Sequence, residues 1–151
     1  MKNSIIMFLA TGAYSGYSPF APGTVGTLWG IPLAFALSLL PPLWGAAALA
    51  LAIVGACLLA SEAAGIAEKK DPSCIVLDEI VGFGAATFLL PFTAQNVILA
   101  FILFRFFDIL KPYPAGLIDS RLPGGAGIVL DDVAAGIYAN VTAQIAIRFV
   151  L

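Results

Sequence analysis

Residues 75–111 read IVLDEIVGFGAATFLLPFTAQNVILAFILFRFFDILK. Two readings of this stretch give two different proteins. Residues 80–104 carry no charge. They form either one long apolar span, with Asp78-Glu79 and Arg105 on opposite sides, or two short helices that fold back and bring those charges together. The middle of the stretch favours the second reading, because Pro91, Thr93, Gln95 and Asn96 interrupt the apolar run. Proline removes a backbone donor and ends helices, and threonine is a preferred N-cap. The stretch therefore predicts a hairpin: a helix from about Val76 to Leu90, a turn at Pro91-Phe92-Thr93, and a helix running to about Lys111. Each arm is only about 15 residues long, whereas a full span needs about 20, so the acidic pair sits at headgroup depth.

Working outward, Pro112 and Pro114 stop the second arm. Upstream, the pattern predicts a helix over Ser4–Tyr14, a breaker-rich loop over Gly16–Gly23, a helix over Thr24–Leu40, a turn at Pro41-Pro42, and a helix from Leu43 to about Lys69. Asp71-Pro72-Ser73 breaks that helix. Downstream, Gly124-Gly125-Ala126-Gly127 predicts a loop, and a last helix runs from about Leu130 to the C-terminus. The expected fold class is all-α: a membrane-embedded bundle of about six helices, a single domain over residues 1–151, with its polar site at one membrane face. The short apolar run behind Lys2 faintly resembles a secretory signal but leads straight into the Pro/Gly motif, so it is read as retained.

Composition supports lipid contact. The chain has 151 residues, 61% of them hydrophobic and 11% charged, where soluble domains are roughly 45–50% apolar and 25% charged. A soluble domain of this size buries only about 70% of its chain's surface, so the remaining apolar surface must face lipid or a partner. Residues 3–61 and 133–147 are also free of charge, and all nine acids lie between Glu62 and Asp132. The alternating helix directions bring every polar motif to one face. That face carries Lys69, Lys70, Arg105, Lys111 and Arg121, and the other carries Arg148, which makes the charged face cytoplasmic. The net charge of -2 and the lack of a basic run argue against nucleic acid as a partner. There is no histidine. Six positions after Cys57 and Cys74 stand Ala63 and Ile80 rather than arginine, which removes a Cys-x5-Arg phosphate loop, and the two cysteines form no disulfide framework.

Four motifs carry chemistry. Asp78-Glu79 lies between apolar flanks, where adjacent acids are costly unless paired, metal-bound or functional; the plainer reading is acids complementing a helix dipole. Asp131-Asp132 comes after the glycine run. Two acid doublets near the starts of two helices can converge on a hard cation through oxygen ligands, and the glycine run could present N–H groups to a phosphate. Arg105 and Asp108, three apart, share a helix face. They form either a simple ion pair, with Lys111 capping the helix end, or a cationic cradle for phosphate oxygens in which Asp108 binds metal or orients the cations. In Pro22-Gly23-Thr24, Thr24 reads first as an N-cap and second as a headgroup donor. Glu62, Glu68, Lys69, Lys70 and Asp71 read as a solvated helix end, and the glycines and alanines of the third helix as packing contacts.

Taken in order, Pro22-Gly23-Thr24, Ile75-Val76-Leu77-Asp78-Glu79, Phe104-Arg105 through Asp108 to Lys111-Pro112-Tyr113-Pro114, and Gly124-Gly125-Ala126-Gly127-Ile128 with Asp131-Asp132 resemble the phosphatidylglycerophosphatase A family, from about Gly12 to Ala139. The resemblance implies an all-α fold, Mg²⁺ dependence, and hydrolysis of phosphatidylglycerophosphate to phosphatidylglycerol at a bacterial inner (cytoplasmic) membrane that the chain crosses several times. The residue chemistry is compatible: a cation held by acids neutralises phosphate charge and activates a water nucleophile. Asp78, Glu79, Asp108, Asp131 and Asp132 are the expected catalytic residues. Asp78, Glu79, Asp131 and Asp132 are the expected metal ligands, and Arg105, Lys111, Thr24 and Gly125 the expected phosphate-binding residues. No Asp-x-Asp pair is present, so direct attack by water is preferred to an aspartyl-phosphate route. The rival from another class is a small membrane transporter or ion-binding protein that uses the buried acids as a cation site. A CDP-alcohol phosphatidyltransferase is disfavoured by the missing Asp-Gly-x2-Ala-Arg signature.

Overall fold

The computed structural model describes residues 2–69 and 72–149; Lys70 and Asp71, expected to form part of a solvated helix end, lie outside the described residues. Among the described residues there are seven α-helices and no strand: α1 Lys2–Ala10, α2 Pro22–Ser38, α3 Pro42–Ile66, α4 Leu77–Thr87, α5 Ala94–Leu110, α6 Ala115–Arg121 and α7 Gly124–Phe149, with a single 3-10 turn at Ser15–Tyr17. The hairpin reading of residues 75–111 holds. Its first arm ends at Thr87, and α5 begins behind Thr93, whose Oγ1 accepts a hydrogen bond from the Asn96 N–H at 3.3 Å. Asn96 Nδ2 closes the turn by donating to Pro91 O at 2.9 Å.

Helix α4 is the axis of the molecule. Every residue from Val81 to Thr87 is buried, and α2, α3, α5 and α7 all pack on it. Small residues make this possible. A β-carbon on Gly136 would collide with the carbonyl of Gly82, so α4 and α7 cross backbone to backbone. At Gly30 a β-carbon would lie 2.9 Å from that of Phe83, which keeps α2 equally close. Close approach through small residues is how helices associate where no hydrophobic driving force separates them from their solvent. Phe83 and Phe104, both fully buried, fill the space between α4 and α5.

The outer surface is apolar. Leu51 of α3 is 74% exposed and Ile109 of α5 75%. On α5, exposed Ile98, Ile102 and Phe106 make a continuous outward stripe. Among the described residues, α3 is the one helix long and apolar enough to cross a membrane unaided. Helices α2 and α5 have 17 residues each and α4 has 11, short of the roughly 20 that a full span requires.

Several expectations are corrected. The bundle has seven helices rather than about six, because α6 forms in the segment after Pro114, where the sequence pattern predicts loop. The glycine run is not a loop either: residues 124–127 are the first turn of α7, tight against neighbouring backbone. Helix α2 starts at Pro22, so Thr24 lies inside its first turn and caps nothing; the N-cap is Ala21, with no side-chain hydrogen bond. On α3, the buried alanines Ala56, Ala60, Ala63 and Ala64 are packing contacts as expected, but Gly55 and Gly65 meet no neighbour.

Candidate active site

The starts of α2, α4 and α7 and the end of α5 meet at one end of the bundle around a pocket of about 310 Å³. Each element delivers its charge there for a local reason. Asp78 and Glu79 occupy the first turn of α4, where a carboxylate is favoured by the helix dipole. Asp131 and Asp132 lie on the buried side of α7 and are each only 4% exposed. Arg105 and Asp108 come from the last turns of α5. Gly23 permits the closest approach: a β-carbon there would collide with Glu79 Oε1 and lie 3.1 Å from both Arg105 terminal nitrogens.

Within the pocket the carboxylates divide into two kinds. Asp78, Glu79 and Asp132 each offer an oxygen, and the three atoms lie within 4.8 Å of one another. Asp78 Oδ1, Glu79 Oε2 and Asp132 Oδ2 are buried and have no hydrogen-bond partner among the described residues. Like charges this close repel strongly in a poorly screened interior, and unpaired buried polar atoms are costly. The donor set is all oxygen, which suits a hard divalent cation. Asp131 is different: its Oδ2 accepts from Lys111 Nζ at 2.7 Å. Asp108 is paired too, with Arg105 Nη1 at 2.6 Å; the contact is close but poorly aligned, and that nitrogen makes no hydrogen bond.

Lys111 is held by its backbone as well as by its partners. It is the C-cap residue of α5, in the left-handed region at φ 45, ψ 57, and its own N–H donates to Phe107 O. A non-glycine residue there stores strain that surrounding contacts must offset. The side chain leaves the helix end and reaches Asp131 and, at 3.0 Å, Asp119. Burial pulls the Lys111 ammonium down, but the hydrogen bonds and charges of Asp131 and Asp119 outweigh it and hold the group above the ordinary lysine value.

Of the expected site residues, Asp78, Glu79, Arg105, Asp108, Lys111, Asp131 and Asp132 all line this pocket; Thr24 and Gly125 do not. Gly125 is buried against α3, its N–H donating to Ser61 Oγ at 2.9 Å, and a β-carbon there would collide with Cys57 O. The Pro22-Gly23-Thr24 motif reaches the pocket through Gly23. Asp119 and Ser73 also line the pocket, and neither belongs to the motifs above. Asp119 sits on α6, the helix that the sequence pattern does not predict; its only signal is its place in the acid-rich middle of the chain. Glu62, one turn nearer the bundle than the rest of its cluster, is at the surface with Lys2 at 3.4 Å.

The family model for phosphatidylglycerophosphatase A matches residues 8–147. The chain is 36% identical over 135 residues to a phosphatidylglycerophosphatase A of Escherichia coli, covering 87% of this chain and 77% of that protein. It is 41% identical over 136 residues to a phosphatidylglycerophosphatase A of Haemophilus influenzae, covering 89% and 83%. A Bacteroides thetaiotaomicron protein provisionally named a phosphatidylinositol-3-phosphatase is 38% identical over 148 residues, covering 93% and 92%. No solved structure matches the chain.

Proposed function

The chain belongs to the phosphatidylglycerophosphatase A family and is a phosphoric monoester hydrolase, and on that premise we propose that it cleaves phosphatidylglycerophosphate to phosphatidylglycerol and inorganic phosphate, with Mg²⁺ held in the acidic pocket. One observation carries the reading: three carboxylates that bring an oxygen apiece within 4.8 Å of one another, each with a buried oxygen that has no partner among the described residues, face two cations across one pocket. Among the described residues six acidic and two basic side chains line it, an excess of four acids. A phosphate dianion cannot enter such a site unless positive charge enters with it.

The residues fit the metal. Asp78, Glu79 and Asp132 would hold Mg²⁺ through the oxygens that lack partners. Mg²⁺ keeps several waters and binds through few carboxylates plus substrate phosphate, which suits three ligands in an open pocket. When bound, the ion neutralises phosphate charge and lowers the pKa of water. Asp131 is assigned a different task from the one its doublet suggests: it orients Lys111 rather than ligating. Asp108 does the same for Arg105. Arg105 and Lys111 then grip the phosphate oxygens and stabilise charge as it moves to the leaving oxygen. Water oxygen bonds to phosphorus, the ester P–O bond breaks, and the glycerol oxygen leaves with a proton. This division of labour favours the phosphatase reading over a cation path, which has no use for a pair of oriented cations.

The apolar surface of the bundle and the polar pocket at one end support a multi-pass membrane protein whose short helices bring the lipid phosphate down to the carboxylates. The basic residues at that end support a cytoplasmic site. The test is phosphate release by detergent-purified protein from phosphatidylglycerophosphate and, in parallel, from phosphatidylinositol 3-phosphate, with and without Mg²⁺. Mg²⁺-dependent release from the first substrate in preference to the second is expected. Release from neither, by folded protein at saturating Mg²⁺, overturns the reading.

A further inference from the structure

Lys111 is shared between two carboxylates of unequal character. The Asp131 side chain is 5% exposed and sits on the 26-residue α7, with its Nζ contact at 2.7 Å. The Asp119 side chain is 43% exposed, 3.0 Å away, on the seven-residue α6. The Asp131 pair is not easily given up, because its other oxygen, Oδ1, is buried without a partner among the described residues, and a buried carboxylate stripped of its cation is strongly destabilising. The Asp119 pair is a surface pair, and such pairs contribute little. All three residues line the same pocket.

We propose that Asp119 is a built-in competitor of the substrate phosphate for Lys111: it occupies the ammonium in the empty pocket, is displaced when phosphate binds, and recaptures Lys111 as inorganic phosphate leaves. This rests on the assignment of Lys111 as a phosphate-binding residue. The ammonium has three N–H donors, so a third could reach phosphate with Asp119 still in place. That would set a carboxylate and a phosphate oxygen side by side on one nitrogen, where their repulsion removes most of what the donor contributes. Exchange of the exposed partner leaves one carboxylate, that of Asp131, beside the phosphate oxygen instead of two, and phosphate is a strong acceptor of a charge-assisted hydrogen bond. Asp119 therefore lowers affinity for phosphate while keeping Lys111 extended into the pocket, which limits product retention.

The test is calorimetric binding of inorganic phosphate to the Mg²⁺-loaded protein in detergent, with KM and kcat measured alongside. Asp119→Asn keeps the size of the side chain and removes its charge. It should tighten phosphate binding and lower KM by about two- to fivefold, the scale of one exposed ion pair, with kcat no higher than in the unmodified protein. The difference should shrink as salt is raised. Asp119→Glu should behave like the unmodified protein and controls for fold, as does the melting temperature of both. Weaker phosphate binding in a folded Asp119→Asn protein would make Asp119 a support for Lys111, not a competitor. Unchanged binding would leave it no part in the site. Either result sinks this inference without touching the metal-binding trio, whose own failure would show as Mg²⁺-independent phosphate release.

Discussion

The two ends of α4 bury polar groups in opposite ways. At the C-terminal end the helix stops at Thr87, which is buried, and its last carbonyls, out of reach of solvent, need donors from within the protein. Asn140 of α7 supplies them: its Nδ2 donates to Ala86 O at 2.9 Å and to Phe88 O at 2.7 Å. Gln144 Nε2 in turn donates to Asn140 Oδ1 at 2.7 Å, and Thr87 turns its hydroxyl back onto Phe83 O. Each of these polar side chains has found a partner within the protein. At the N-terminal end, about 16 Å away for an 11-residue helix, Asp78 and Glu79 each leave a buried oxygen without one among the described residues, as does Asp132 across from them. The same two helices, α4 and α7, build both ends. A chain able to satisfy one end so fully has left the other open, and buried atoms left open are where a ligand is expected.

Four sets of substitutions would break or sharpen this contrast. The largest effect belongs to the open end. Asp78→Asn or Asp132→Asn should lower phosphate release by about 10³-fold, the upper scale for one electrostatic contact at a reacting centre. The protein should remain folded, and Mg²⁺-dependent thermal stabilisation should disappear, as it should with a chelator. A variant that unfolds would mean that the acids support the helix start; a variant that keeps full activity would put the chemistry elsewhere.

Next come the cations. Lys111→Ala and Arg105→Ala should each cost about 10²-fold, raising KM as well as lowering kcat, because a phosphate grip acts in both the ground and the transition state. Mg²⁺ stabilisation should persist in both. Asp131→Asn should resemble Lys111→Ala and not Asp132→Asn, and a melting curve with and without Mg²⁺ tells the two apart. If Asp131→Asn abolishes metal stabilisation, the neighbouring acids act as one ligand set and the division between them is wrong.

At the closed end, Asn140→Leu removes a donor from two carbonyls. Stability in detergent should fall by about 1–2 kcal/mol, with activity below the melting temperature reduced by less than tenfold. A catalytic loss as large as that of Asp78→Asn would mean that the C-terminal anchor sets the position of the whole helix. The smallest effect is expected from Glu62→Gln, an acid of the same charged segment that pairs with Lys2 at the surface. Activity should be unchanged, and stability should move by no more than about 0.5 kcal/mol. A large loss there would extend the site beyond the pocket.

The hairpin was legible because its signals are local: Pro91 denies a donor, and Thr93 caps α5. The inventory of acids and cations was legible because charge in an apolar chain is expensive wherever it stands. Which acids share a site with which cations was only half legible. Asp131 and Asp132 are adjacent in sequence, yet on a helix they point about 100° apart, so one meets Lys111 and the other meets Asp78 and Glu79. Thr24 and Gly125 illustrate the converse. Both lie in motifs that pack tightly at or near the site, and neither lines the pocket, because a motif marks a close approach without saying which of its residues makes the contact. The element type of a segment, its charge and its turns depend on interactions within a few residues, and those the sequence determined. The separation of a partnerless carboxylate trio from two oriented cations, the recruitment of Asp119 through α6, and the capping of α4 by Asn140 from 52 residues away depend on which faces of distant helices meet. That was settled by close packing at Gly82, Gly136 and Gly23, and packing across the bundle is a property of the tertiary structure alone.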